Sequence, residues 1–147
     1  MINEDIRIQA LVEGLNEDLA NEYAATIMYT YSAAVVTGFH RQVLKPFFEG
    51  EITDESGHAL YLADKIRTLG GIPTTTPAPV PQLTDVRDIL EAARDAEADT
   101  IRRYTKRIEQ AEELGLIELK LKLEDLIADE TNHKEELEHL LADPRLV

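Results

Sequence analysis

The sequence has no cysteine, which removes disulfides, thiolate nucleophiles, Cys-ligated zinc and iron–sulfur clusters together. It has no apolar run of about 18 residues or more, so no segment is expected to span a membrane. The first ten residues are charged from Glu4 onward and lack the apolar stretch of a secretion signal. Positive charge is scarce: 15 Lys and Arg stand against 29 Asp and Glu, a net charge of −14. Such a chain repels phosphate backbones and attracts cations, which argues against nucleic acid as a partner. The expectation is a cytoplasmic protein without membrane or nucleic-acid partners.

Helix breakers are also few, and they cluster. The chain has seven Gly and six Pro in 147 residues, and four of the prolines fall in the low-complexity stretch 72–82. With 44% hydrophobic and 30% charged residues, the chain can bury a real core as a single domain, residues 1–147. Gly38, the Gly70-Gly71 pair and Gly115 punctuate it into four predicted helices, about 4–37, 42–69, 85–113 and 116–141, with a linker over 70–84. Thr84 reads as the cap of the third helix, and Pro46 as a residue of the first turns of the second helix or a kink in it. Nothing alternates with period two for long enough to argue a sheet. The fold class is therefore all-α, a four-helix bundle of two antiparallel hairpins. A Pro-rich linker of about 14 residues reaches about 43 Å, and a 28-residue helix is about 42 Å long. The linker can therefore cross the whole length of the bundle.

A repeat organises the acids. Ile52-Thr-Asp-Glu-Ser-Gly-His58 and Ile127-Ala-Asp-Glu-Thr-Asn-His133 share four identical positions and a Ser/Thr pair, 75 residues apart. The same offset carries Glu22 onto Glu97 and Tyr29 onto Tyr104. Each half thus holds a Glu, a Tyr two turns later, and a Glu-x-x-His on the return helix. Glu22 and Glu55 lie equidistant from the turn at Gly38, and Glu97 and Glu130 nearly equidistant from Gly115, so each pair meets at one height, roughly 25 Å from its turn. All four carboxylates occupy positions where the helical stripe calls for an apolar residue, among Leu15, Leu19, Ile52, Leu62, Ala93, Ile101, Leu126 and Leu137. His58 and His133, three residues on, point to the same side.

A single Glu on an apolar stripe is commonly a solvated edge residue. A third Glu-x-x-His, Glu136 to His139, has no mate 75 residues back and reads as surface. Four carboxylates converging in one core are different, because burying even one costs several kcal/mol. Two divalent cations bring +4 against −4, and imidazole nitrogen favours transition metals over Ca²⁺ or Mg²⁺. The expected metal ligands, and catalytic residues, are Glu22, Glu55, His58, Glu97, Glu130 and His133. Tyr29 and Tyr104 are expected to donate to a ligating carboxylate. Asp54 and Asp129 are expected to accept the other imidazole N–H, on their own helix or the facing one. His40 reads as a loop residue, and Arg102, Arg103, Lys106 and Arg107 as a solvated helix face.

These residues resemble the ferritin-like di-iron carboxylate proteins, in which two helices give one Glu each and two give Glu-x-x-His, and bacterioferritin-like members in particular. The resemblance covers all four helices. It implies two iron ions per subunit (manganese or zinc as alternatives in a crystal), with Glu55 and Glu130 bridging, and with Glu22 and His58, and Glu97 and His133, as terminal ligands. It implies a ferroxidase that oxidises Fe(II) with O2 or H2O2 for iron storage or detoxification, in a homo-oligomer. Apolar residues off the ligand stripes, such as Val35, Val36, Leu44, Phe47 and Leu116, suit an interface or the core.

The departures are specific. Ser56 stands where bacterioferritin has a haem-ligating Met, so haem bound in that way is not expected. The chain ends at Val147, without the short fifth helix of 24-subunit cages. Arg94 and Thr100 flank Glu97 where rubrerythrins carry an additional Glu. The alternatives are a small di-iron or di-manganese oxidase or peroxidase without storage, and a non-catalytic helical module braced by metal.

Overall fold

The structure is a computed structural model that describes residues 3–146. Met1, Ile2 and Val147 lie outside it, and with them the chain ends behind the expectations of no leader and no fifth helix. Among the described residues there is no strand. Four helices follow in order: α1 (Glu4–Val35), α2 (Arg41–Thr68), α3 (Val86–Glu113) and α4 (Ile117–Leu141). None is long and apolar enough to cross a membrane.

The boundaries follow local chemistry. Helix α1 stops two residues short of the predicted end, and Arg41 donates to the carbonyls of Ala33, Ala34 and Val36 that the last turn leaves free. Gly38 and Gly115, at φ 78° and 69°, turn the two hairpins in a conformation that costs glycine little. The cap of α3 is Asp85 rather than Thr84: the Asp85 carboxylate accepts the Asp88 N–H at 3.1 Å, and an anion suits this helix end better than a hydroxyl. Pro46 lies within α2, in its second turn.

Cross-helix pairs fix the topology. Tyr29 meets Glu97 while Tyr104 meets Glu22, so α1 and α3 run antiparallel. His58 meets Asp129 while His133 meets Asp54, so α2 and α4 do the same. The linker must then start at one end of the bundle and finish at the other, as its length allows. It lies along α1: Asn16 holds Ile72 and Thr74, and Ala78 N–H donates to Ala20 O at 2.9 Å.

The core comes in two parts. One packs Leu11, Leu15, Leu19, Leu62, Ile66, Leu119 and Leu123; the other packs Met28, Val36, Leu44, Phe48, Ile89, Leu90 and Leu137. Between them lies the layer of acids. Val36 and Leu44 are core, and Val35, Phe47 and Leu116 pack against it, so these are not the free apolar surface.

Arg107 corrects the sequence reading. It is 3% exposed rather than solvated, and its Nε donates to the buried Asp18 at 3.0 Å. The guanidinium lies flat against Gly14, where an added Cβ would come within 2.3 Å of it. That close approach explains a glycine in the middle of α1, where it otherwise costs about 1 kcal/mol against alanine. Gly14→Ala should therefore lower stability by about 1–3 kcal/mol despite the better helix former, because a buried ion pair must move. Thermal melts of the two proteins check this; an unchanged or raised midpoint would show that the guanidinium is free to swing away.

Candidate metal centre

The six residues picked out by the repeat converge at mid-height. Glu22, Glu55, Glu97 and Glu130 are 2% exposed or less, and both His58 and His133 are buried. They form two adjoining clusters: Glu22, Glu55, His58 and Glu130, and Glu51, Glu55, Glu97 and His133, with ligand-type atoms within 4.8 Å of one another in each. His58 Nδ1 lies 3.7 Å from Glu22, 3.8 Å from Glu55 and 2.9 Å from Glu130. His133 Nδ1 lies 3.4 Å from Glu55, 3.8 Å from Glu97 and 4.0 Å from Glu130. Glu55 and Glu130 thus face both imidazoles, while Glu22 stands with His58 and Glu97 with His133.

The surrounding bonds aim these groups. Tyr29 OH donates to Glu97 Oε1 at 2.6 Å, and Tyr104 OH donates to Glu22 Oε1. Each tyrosine therefore serves the carboxylate of the other half. His58 Nε2 is 3.2 Å from Asp129 and His133 Nε2 is 3.0 Å from Asp54, across the α2–α4 seam. An Nε2–H donated to the aspartate turns Nδ1 toward the carboxylates. Glu136 and His139 are exposed, on another face.

Glu51 was not found by the sequence reading. It is 7% exposed, and its Oε2 lies 2.8 Å from His133 Nδ1. The repeat does not carry it, because Leu126 stands 75 residues later. The available signal was its place one turn before Glu55, on the same stripe.

One oxygen on each of Glu22, Glu51, Glu55, Glu97 and Glu130, and Nδ1 of both histidines, are buried with only one another as partners. Such atoms are costly to leave bare, and their chemistry, hard oxygen with borderline nitrogen, fits a pair of first-row divalent metals. Protons substitute in part when metal is absent. Burial and the neighbouring Glu22 push the Glu55 carboxyl well above its ordinary range, and burial raises Glu97 against the pull of His133 and Tyr29. Burial opposes charge on His58 and His133, yet the carboxylates around them outweigh it and raise both.

A cavity of about 250 Å³ leads from the surface to this layer. Glu55, Glu97 and Glu130 form its floor, α1 and α3 its walls, and Pro79–Pro81 of the linker border it. Asp95, Asp99 and Arg103 also line it. Ser56 faces elsewhere, into an apolar groove of α1 and α2 with Ile27 and Leu60.

A ferritin-like domain family matches residues 12–147. The chain belongs to the ferritin-like family. It is similar to a ferritin-like di-iron carboxylate protein of Bacillus anthracis, 63% identical with a TM-score of 0.91 over 95% of this chain and 99% of that one. It is also similar to the bacterioferritin of Desulfovibrio desulfuricans, 27% identical with a TM-score of 0.88, covering 97% of this chain and 84% of that one. The bacterioferritin-related protein of Bacteroides fragilis, described as a dodecameric thioferritin, is 25% identical with a TM-score of 0.84, covering 92% and 86%. No curated protein matches the chain.

The crowded acids set a pH dependence. Glu55 and Glu97 hold protons in the fold that the unfolded chain, titrating near 4.5, has already lost, and the histidines keep protons that the unfolded chain loses near 6.5. Both effects favour the metal-free fold at low pH and fade as pH rises through the raised values. The melting midpoint of metal-free protein should fall from about pH 5 to about pH 8. Glu55→Gln, which needs no proton, should flatten that fall and raise the midpoint at pH 8; an equally steep fall in the variant would contradict it.

Proposed function

We propose that this protein is a ferroxidase: it binds two Fe(II) between its four helices and oxidises them with O2 or hydrogen peroxide for iron storage or detoxification. The observation that carries this reading is the ring of buried donor atoms, from five carboxylates and two imidazoles, that have only one another as partners. In it, Glu22, Glu55, His58, Glu97, Glu130 and His133 hold the metal, with Glu55 and Glu130 shared between the two ions. The iron itself supplies the redox chemistry, one electron from each ion.

The protein's part is preparation. Asp129 and Asp54 hold the imidazoles so that Nδ1 faces inward. Tyr29 and Tyr104 each occupy one oxygen of Glu97 and Glu22 and leave the other for metal. The apolar layers above and below leave only the side cavity open to water, and the lower dielectric strengthens the charge interactions inside. The proton held by Glu55 leaves when a cation arrives, so uptake releases acid. The cavity beside Asp95 and Asp99 offers Fe(II) a short acidic path to Glu97.

Stopped-flow oxidation of Fe(II) tests the assignment. Glu55→Ala and Glu130→Ala, which remove the shared ligands, should each slow the fast phase by roughly tenfold or more. Rates like those of the unaltered protein in both variants would overturn it.

We further propose that the subunits assemble, with the groove of α1 and α2 as a contact between copies. Ile27 and Leu60 are 44% and 74% exposed beside it, and the similar Bacteroides fragilis protein is dodecameric. Leu60→Glu should shift the mass in solution toward smaller species, as light scattering after gel filtration would reveal. An unchanged mass would place the contact elsewhere.

A further inference from the structure

The 75-residue repeat gives the two metal positions matching ligands, but their surroundings differ in charge. Glu51 adds a fifth buried carboxylate beside His133, Glu55 and Glu97. Its repeat counterpart is Leu126, which lies beside His58 with no polar atom to offer. At the opposite end, one turn from Glu22, the buried Asp18 stands between Arg107 at 3.0 Å and Arg103 at 3.5 Å. The repeat counterparts of Asp18, Arg103 and Arg107 are Ala93, Met28 and Ser32, all uncharged. Glu17 also meets Arg107, at 3.4 Å, so two carboxylates balance the two arginines there, whereas Glu51 leaves the Glu97 end with one more buried negative charge than the Glu22 end.

We infer that the two positions are unequal: Glu51 ligates metal together with Glu97 and His133, so that this position fills first and holds a divalent cation more tightly than the position of Glu22 and His58. A buried carboxylate oxygen at 2.8 Å from His133 Nδ1, with no other partner, is placed as a further donor. At the other position Leu126 offers no donor, so a cation beside Glu22 and His58 has one carboxylate fewer to offset its charge. The result is a polarised pair, with one retained ion and one exchangeable ion. The inference rests on the dinuclear reading above and adds an order of filling and a role for Glu51.

Titration of the metal-free, full-length protein with Co²⁺, followed by its visible ligand-field bands and by calorimetry, separates the two ideas. Two steps are expected, the first at least about tenfold tighter than the second. Glu51→Leu copies the residue of the other half and removes a buried charge, so it should fold readily. It should weaken the first step by about tenfold or more and leave the second unchanged. Glu51→Gln, which keeps the shape, should do the same, and Glu22→Gln should abolish the second step only. Two equal steps in the unaltered protein, or Glu51 variants that leave the first step intact or weaken both alike, would overturn the inference while leaving the dinuclear site standing. Absence of Co²⁺ binding, or binding untouched by Glu55→Ala, would overturn the dinuclear reading itself.

Discussion

Five carboxylates in the interior of one small bundle are the constraint on which the rest of the structure depends. Each is 7% exposed or less, and none has an arginine or lysine beside it to neutralise its charge among the groups that face the layer. Without a cation they survive only by sharing protons and by accepting from Tyr29, Tyr104 and the two imidazoles. The metal-free fold is thus held by its two apolar layers against the repulsion of the layer between them. A protein built this way sacrifices stability for a site whose geometry the fold sets in advance.

The bundle's connectivity serves the same end. A Glu from α1 and a Glu-x-x-His from α2 can close half of a dinuclear site only if the hairpin places them at one height. The second hairpin must then face the first in antiparallel fashion. The long linker makes this arrangement reachable, because it carries the chain from one end of the bundle to the other before α3 begins. Anchored by Asn16 and Ala20, it also borders the cavity over the acids, so a connection becomes part of the site's wall.

The buried Asp18–Arg107 pair shows how a charge is tolerated where no metal is needed. Its desolvation is met by direct hydrogen bonds and by Arg103 close by, with burial still pushing the Asp18 carboxyl up to about 7 against the pull of both arginines. Gly14 makes the room. The pair stands one turn from Glu22, in a half of the molecule whose repeat mate has small neutral residues in its place. Near-symmetry of ligands thus coexists with asymmetry of environment.

The sequence by itself determined the helical class, the two hairpins, the metal-ligand candidates and their pairing by height. Those follow from periodicity along one chain: a repeat of 75 residues, Glu-x-x-His on one helical face, and breakers confined to three places. What only the tertiary structure decided is which groups face one another across helices. Each tyrosine serves the opposite half's glutamate, each aspartate the opposite helix's histidine, and Arg107 turns inward because Gly14 leaves it space on a different helix. Glu51 belongs to the same class, since nothing along α2 separates it from a solvated acid until α3 and α4 close over it. Local spacing records the face a residue occupies on its own helix, whereas burial and charge depend on what the neighbouring helices bring to that face.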